Sequence, residues 1–171
     1  ALYEMVKVLN LDKKIDMIYT DEDKIDFDGT RCEPHFKSDY APDTLLSSNY
    51  ICHFTLLRKN IVDEIGGFRE GYEGAQDYDL FLRFTEKTNK IFHIPKILYH
   101  WRKLSGSTAV TVGNKGYAIQ NGKKALEDAL KRRDIKGEVI IHEKIPYYSI
   151  RYIYDKEPMI SIIIPTKDHT D

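Results

Sequence analysis

The run Asp16-Met17-Ile18-Tyr19-Thr20-Asp21-Glu22-Asp23 constrains the fold more than any other stretch, because apolar residues pass without a break into three carboxylates. Leu2, Met5, Val6 and Leu9 precede it at helical spacing, so the pair reads as a helix feeding a short buried strand. Such a strand delivers Asp21, Glu22 and Asp23 together at its carboxyl end, where open α/β sheets place their ligands. The expected class is α/β, a mixed sheet flanked by helices.

The rest of the chain supports that class. Asp-Phe-Asp-Gly at 26–29 is a turn signal, and the polar stretch that follows, up to Pro42, reads as a loop. A short helix is expected at 42–46 with Pro near its first turn, a strand at 50–57, and a helix at 58–65 stopped by Gly66-Gly67. Residues 68–75 have the composition of a mobile loop. Leu80, Phe81 and Phe84 mark a helix over 77–88 with Asp77 close to its start. Two short strands, 91–94 and 97–101, are split by Pro95; the longest helix covers 114–133, and strands are expected at 139–141, 147–154 and 159–164.

Composition excludes several classes. The 171 residues carry 26 basic and 27 acidic side chains, a net charge of -1, which gives no general attraction to nucleic acid. No apolar run approaches the length of a membrane-spanning helix. Cys32 and Cys52 match no zinc spacing and read as idle thiols in a reducing compartment, hence a cytoplasmic location.

Three constellations carry chemistry. Asp21-x-Asp23 offers hard oxygen ligands to Mg²⁺ or Mn²⁺, which bridge to phosphate oxygens; a solvated acidic turn is the plain alternative. Asp77 and Asp79, two apart at a helix start, point to different faces, so one can cap or brace the helix while the other faces a cleft as a general base. His100, Arg102 and Lys103 with the Ser107-Thr108 loop suit phosphate oxygens, or form a solvated strand end. His35, His53, His93, His142 and His169 lack partners at metal-ligand spacing and are assigned no site.

Taken in order, Ile18-Tyr19-Thr20-Asp21-Glu22-Asp23, Ile65-Gly66-Gly67-Phe68, Gln76-Asp77-Tyr78-Asp79-Leu80 and His100-Trp101-Arg102 with Gly106-Ser107-Thr108 resemble the family 2 glycosyltransferases. The likeness is to bacterial enzymes of polysaccharide and cell-surface glycan synthesis, some with two catalytic domains in tandem, and covers about residues 2–109. It implies a partial GT-A fold, a nucleotide-diphosphate sugar as donor, a divalent metal (Mn²⁺ or Mg²⁺), a glycan or lipid-linked acceptor, and inversion at the anomeric carbon. Carried over by position, Asp23 is the main metal ligand, and Asp21 touches the nucleotide ribose or the metal shell. Asp77 is the base, His100 completes the metal or diphosphate site, and Arg102 faces the diphosphate.

One departure bears on what the chain can do. The family's opening strand, apolar-Ser-apolar-apolar-apolar-Pro-Thr, does not precede Asp21, whereas Met159-Ile160-Ser161-Ile162-Ile163-Ile164-Pro165-Thr166-Lys167 matches it closely. The expectation is a piece of a tandem enzyme: residues 1–109 the carboxyl-terminal part of a GT-A domain, 110–157 a helix and strands linking onward, and 158–171 the first strand of a following glycosyltransferase domain. With the nucleotide-binding part missing, the piece is expected to be inactive alone, its parent lying at the inner face of the membrane. In the alternative, the terminal strand fills the vacant place in the sheet, within the chain or from a neighbouring copy, giving a homodimer through the exposed edge. Two rival functions are a non-catalytic carbohydrate-binding or scaffold domain of the same fold, and another metal- and phosphate-using enzyme such as a nucleotidyltransferase.

Overall fold

The computed structural model describes residues 1–104, 116–142, 145, 147–157, 159–165 and 167. It is a mixed α/β fold, as the sequence indicates, and compatible with a partial GT-A arrangement. Its elements run α1 (Leu2–Leu11), β1 (Met17–Ile25), β2 (Arg31–His35), α2 (Pro42–Ser47), β3 (Thr55–Leu57), α3 (Lys59–Glu64), α4 (Gln76–Thr85), β4 (Ile91–Arg102), α5 (Gly116–Arg132), β5 (Gly137–Ile141) and β6 (Tyr148–Tyr152). Among the described residues no helix is long and apolar enough to cross a membrane.

β1 is the centre of a four-stranded sheet. β4 runs parallel to it along its whole length, from Met17↔Ile91 to Ile25↔Arg102. β3 pairs antiparallel with its first half and β2 with its second, through Ile18↔Leu56 and Glu22↔His35. The pleat sends successive side chains to opposite faces. Met17 and Tyr19 enter a core shared with α2, α4 and α5, while Ile18 joins Met5, Ile15 and Ile94 under α1.

The longest helix packs with one face inward: Ala125, Leu126, Ala129 and Leu130 are buried against the core that holds Phe81, Leu82 and Phe84 of α4. Two glycines set how closely it sits. A Cβ on Gly74 would lie 2.8 Å from the Ala118 Cβ, and one on Gly122 would lie 2.1 Å from the Tyr148 hydroxyl. That hydroxyl donates to the Ile119 carbonyl at 3.0 Å, so the β5–β6 hairpin is fastened onto α5 at the point where Gly122 leaves room.

Several sequence expectations change. The acidic trio lies inside β1 rather than beyond its end, because the turn closed by Asp26 N–H to Thr30 carbonyl returns the chain as β2, a strand where a loop was expected. The strand expected over 50–57 shrinks to Thr55–Leu57. Pro95 does not split β4: a register shift between Thr20↔Ile94 and Asp21↔Ile97 leaves Pro95 outside the ladder, where its missing N–H costs nothing. The 68–75 loop is anchored, with Tyr72 buried and Arg69 ion-paired. Residues 159–164, expected as the first strand of a following domain, pair with no strand among the described residues and stand exposed, Met159 at 96% and Ile163 at 89%.

Gly122→Ala pits a helix-propensity gain of about 1 kcal/mol against overpacking worth about 1–3 kcal/mol. The clash should win, and urea denaturation should show a net loss of stability that shrinks in a Tyr148→Phe background.

Candidate active site

Seven consecutive residues of β1, from Met17 to Asp23, are buried. Asp21, Glu22 and Asp23 are only 3%, 7% and 3% exposed, so each carboxylate must find partners within the protein. Asp21 Oδ1 accepts from the Lys37 backbone N–H at 2.9 Å and lies 2.8 Å from His93 Nε2. His93 is held by stacking on Tyr19 at 4.8 Å. Asp23 Oδ2 accepts from Arg31 Nε at 2.6 Å, and its Oδ1 is hydrogen-bonded to His100 Nδ1. Burial alone would raise the Asp23 pKa, but the His100 and Arg31 bonds and charges outweigh it and hold the carboxyl below its usual range.

Glu22 has a separate set of partners. Its neighbours are His53 Nδ1 at 2.8 Å, His35 Nδ1 at 3.6 Å and the buried Lys37 Nζ at 3.8 Å. His53 stacks on Tyr99, the residue opposite Glu22 in β4, at 4.9 Å. Burial pushes the Glu22 pKa up, yet the hydrogen bonds to His35 and His53 and the charge of Lys37 hold it at about 2. Desolvation lowers the Lys37 pKa in spite of that carboxylate, and Lys37 Nζ also donates to the Ile51 and His53 carbonyls. Among the described residues, Glu22, Cys52 and His53 form the one set of three potential ligand atoms within 4.8 Å of one another. The Cys52 thiol donates to the Asn49 carbonyl; burial, then the charges of Asp77 and Glu22, push its pKa up, so it is no thiolate.

Asp77 and Asp79 divide their work along α4. Asp79 is fully buried and bonds Arg83 Nε at 2.9 Å and Arg69 Nε at 3.1 Å. Arg83 also donates to the carbonyls of Ile65 and Gly67, and Arg69 reaches Asp128 of α5. Asp79 is thus the brace that ties the Gly66-Gly67 turn, the 68–75 loop and α5 to the start of α4. Burial disfavours its charge, but the two guanidinium groups prevail and depress its pKa. Asp77, in the first turn and half-buried, is left for other use: Oδ1 accepts from the Tyr78 N–H at 2.9 Å and Oδ2 from Asn49 Nδ2 at 3.0 Å.

Of the residues singled out in the sequence, the structure brings Asp23 and His100 together, and Asp21, two residues before on β1, pairs with His93 instead. Asp77 lies with Asn49 and makes no hydrogen bond or ion pair with these three. Arg102 is exposed at the end of β4 without an ion-pair partner among the described residues, and the Gly106-Ser107-Thr108 loop lies outside them. Sequence reasoning missed His93, His53, Lys37 and Asn49. Their partners stand 16 to 72 residues away in the chain, and the β1–β4 register would have pointed to His93 alone.

No family model matches the chain. It is 45% identical over 99% of its length to an uncharacterized protein, y4gI, of Sinorhizobium fredii, and 39% identical over its whole length to the O-antigen biosynthesis protein RfbC of Myxococcus xanthus. The chain spans only 19% and 13% of these relatives. The named relative places the chain's likeness among bacterial proteins of polysaccharide biosynthesis.

Asp79→Asn should cost about 3–5 kcal/mol in chemical denaturation, since it strands two guanidinium groups that one carboxylate neutralises. Because the folded pKa of Asp79 is depressed, its contribution is complete above the ordinary value of 3.8 and fades as pH falls through the lower folded value. The stability difference between wild type and variant should therefore narrow on acidification below that point.

Proposed function

We propose that this chain is the acceptor-side part of an inverting, metal-dependent glycosyltransferase that uses a nucleotide-diphosphate sugar and a glycan or lipid-linked acceptor. The observation that carries the reading is the division of roles between the paired carboxylates of α4. Asp79 is consumed by structure, whereas Asp77 is half-buried, oriented from both sides by Asn49 and its own helix, and free to take a proton. The O-antigen biosynthesis relative supports glycan synthesis as the setting.

The residues present fit a hard divalent cation. Asp23 and His100 are adjacent on neighbouring strands and offer one oxygen and one nitrogen, and Arg31, with its side chain 55% exposed, can leave Asp23 without losing burial. Asp21 is less available, because one carboxylate oxygen already serves Lys37 and His93. A bound Mn²⁺ or Mg²⁺ would neutralise the charge that builds on the departing diphosphate. Arg102, exposed at the end of the same strand as His100, is positioned to add a cation to the same anion.

Asp77 then accepts the proton that the acceptor hydroxyl loses as its oxygen bonds to the anomeric carbon. The Asn49 amide and the Tyr78 N–H, one on each oxygen, hold the carboxylate in place. A scaffold domain of the same fold would need neither an oriented Asp77 nor an Asp23–His100 pair.

In the intact protein, Asp77→Asn should reduce sugar transfer by about 10²–10⁴-fold, the usual worth of a general base, while binding of the nucleoside diphosphate with Mn²⁺ stays near wild type. Turnover measured over a panel of nucleotide sugars checks this; undiminished transfer would remove Asp77 from the role.

A further inference from the structure

The first turn of α4, which carries Asp77, is not held by its own cap. Ala75 stands at the N-cap position, and no side chain there bonds the helix amino terminus, so the turn lacks the contribution that a Ser, Thr, Asp or Asn would make. The loop that leads into it holds Gly71 and Gly74 at φ +80° and +78°, a left-handed conformation open to glycine but no more favourable to it than the right-handed one. Such a loop does not fix its own path, and the start of α4 inherits that freedom. The path has to be set from outside the loop.

One polar stripe of α5 does this. Asn121, Lys124 and Asp128 stand three and four residues apart, so they share a face of the helix. Asn121 Nδ2 donates to the Glu73 carbonyl at 2.8 Å, and Lys124 Nζ donates to the Gly71 carbonyl at 3.2 Å. Both bonds grip backbone, hence the course of the loop rather than the identity of its side chains. Asp128 Oδ2 accepts from Arg69 Nη2 at 3.2 Å and from the Tyr72 hydroxyl. Tyr72 is only 4% exposed, and its ring is approached by two cations, Arg69 and Lys124, each 4.3 Å from the centroid. Three residues before Asn121, Ala118 packs so close to Gly74 that a Cβ on the glycine would lie 2.8 Å from the alanine's. The Ala75 N–H then closes the loop on the Tyr72 carbonyl at 2.9 Å, two residues before Asp77.

We propose that Asp128, with Asn121 and Lys124 beside it, is a positioning residue for Asp77: it holds Arg69 and Tyr72, through them the 69–75 loop, and through the loop the first turn of α4. α5 then belongs to the catalytic unit, although none of these three side chains touches a reacting atom. Position matters to the chemistry, because a displacement of about 1 Å caused far from the reacting atoms can cost about 10²-fold in rate. Arg69 also bonds the buried Asp79, so the stripe on α5 and the brace inside α4 meet at a single guanidinium. The inference rests on the reading of Asp77 as the base, but the coupling between α5 and Asp77 can be measured without donor, metal or transfer.

The test has two arms and uses Asp128→Ala and Asn121→Ala, each checked for an unchanged circular-dichroism spectrum. Asn121→Ala removes one bond to the loop and leaves Arg69 and Tyr72 paired, so it carries the test even if Asp128→Ala does not fold. In ¹⁵N NMR of the full chain, the Tyr78 backbone N–H and the Asn49 side-chain amide report on the Asp77 carboxylate, since each donates to it. Both signals should shift in each variant, although neither substituted side chain bonds to these groups, while the His100 ring signals, which report on Asp23, stay in place. In the intact protein, Asp128→Ala should lower kcat for sugar transfer by about 10–10²-fold with the KM for the nucleotide sugar near wild type. Asp128→Asn, which can still accept from Tyr72, should recover part of that loss. Unmoved Tyr78 and Asn49 signals, or a wild-type kcat in Asp128→Ala, overturn the proposal. Shifted signals together with normal transfer by Asp77→Asn would leave the coupling standing and remove the base, which keeps the two failures apart.

Discussion

The structure depends on one constraint, that the central strand buries its charges along with its apolar residues. Removing a carboxylate from water costs several kcal/mol unless partners replace the lost hydration. Asp21, Glu22 and Asp23 each meet that demand by drawing in residues from other elements: His93 and His100 from β4, Arg31 and His35 from β2, and Lys37 and His53 from the connections beyond. The sheet around β1 is held by its backbone ladders, but which residues can neighbour it is decided by these side chains. A hydrophobic strand in the same place would need none of them.

Side-chain partners turn that constraint into geometry. Asp21 pairs with His93 and Asp23 with His100, whereas Glu22 gathers His35, His53 and Lys37. The strand thus keeps two carboxylate–imidazole pairs apart from a third hydrogen-bonded cluster. On α4 a division of roles recurs at a spacing of two residues, where Asp79 disappears into an arginine network and Asp77 accepts from the Asn49 amide.

Local pattern made much of this legible. The helical spacing of Leu2, Met5 and Leu9, the stop at Gly66-Gly67, and the Ala125, Leu126, Ala129, Leu130 stripe each lead to an observed element. The pairing of Asp23 with His100 follows from register, which the order of motifs hinted at without fixing. What stayed hidden depends on long-range pairing. Nothing local marks Arg31-Cys32-Glu33-Pro34-His35 as a strand until β1 offers an edge, and its Pro34 and charges argue against one. Apolar residues at 159–164 look like a strand for the opposite reason: their bulk and β-branching are right, but no edge among the described residues receives them. Asn49 carries no sequence signal at all, because its meaning lies in a bond to Asp77.

The central claim of the proposed function is that a divalent cation would sit between Asp23 and His100, and not at the Glu22–Cys52–His53 cluster. Titrating the chain with Mn²⁺ while observing the histidine ring signals by NMR tests it most directly, because the paramagnetic ion broadens the nearest rings first. The account predicts that His100 broadens at the lowest Mn²⁺ concentration and that His53 broadens only at higher ones. Broadening of His53 before His100, or of no histidine, would contradict it.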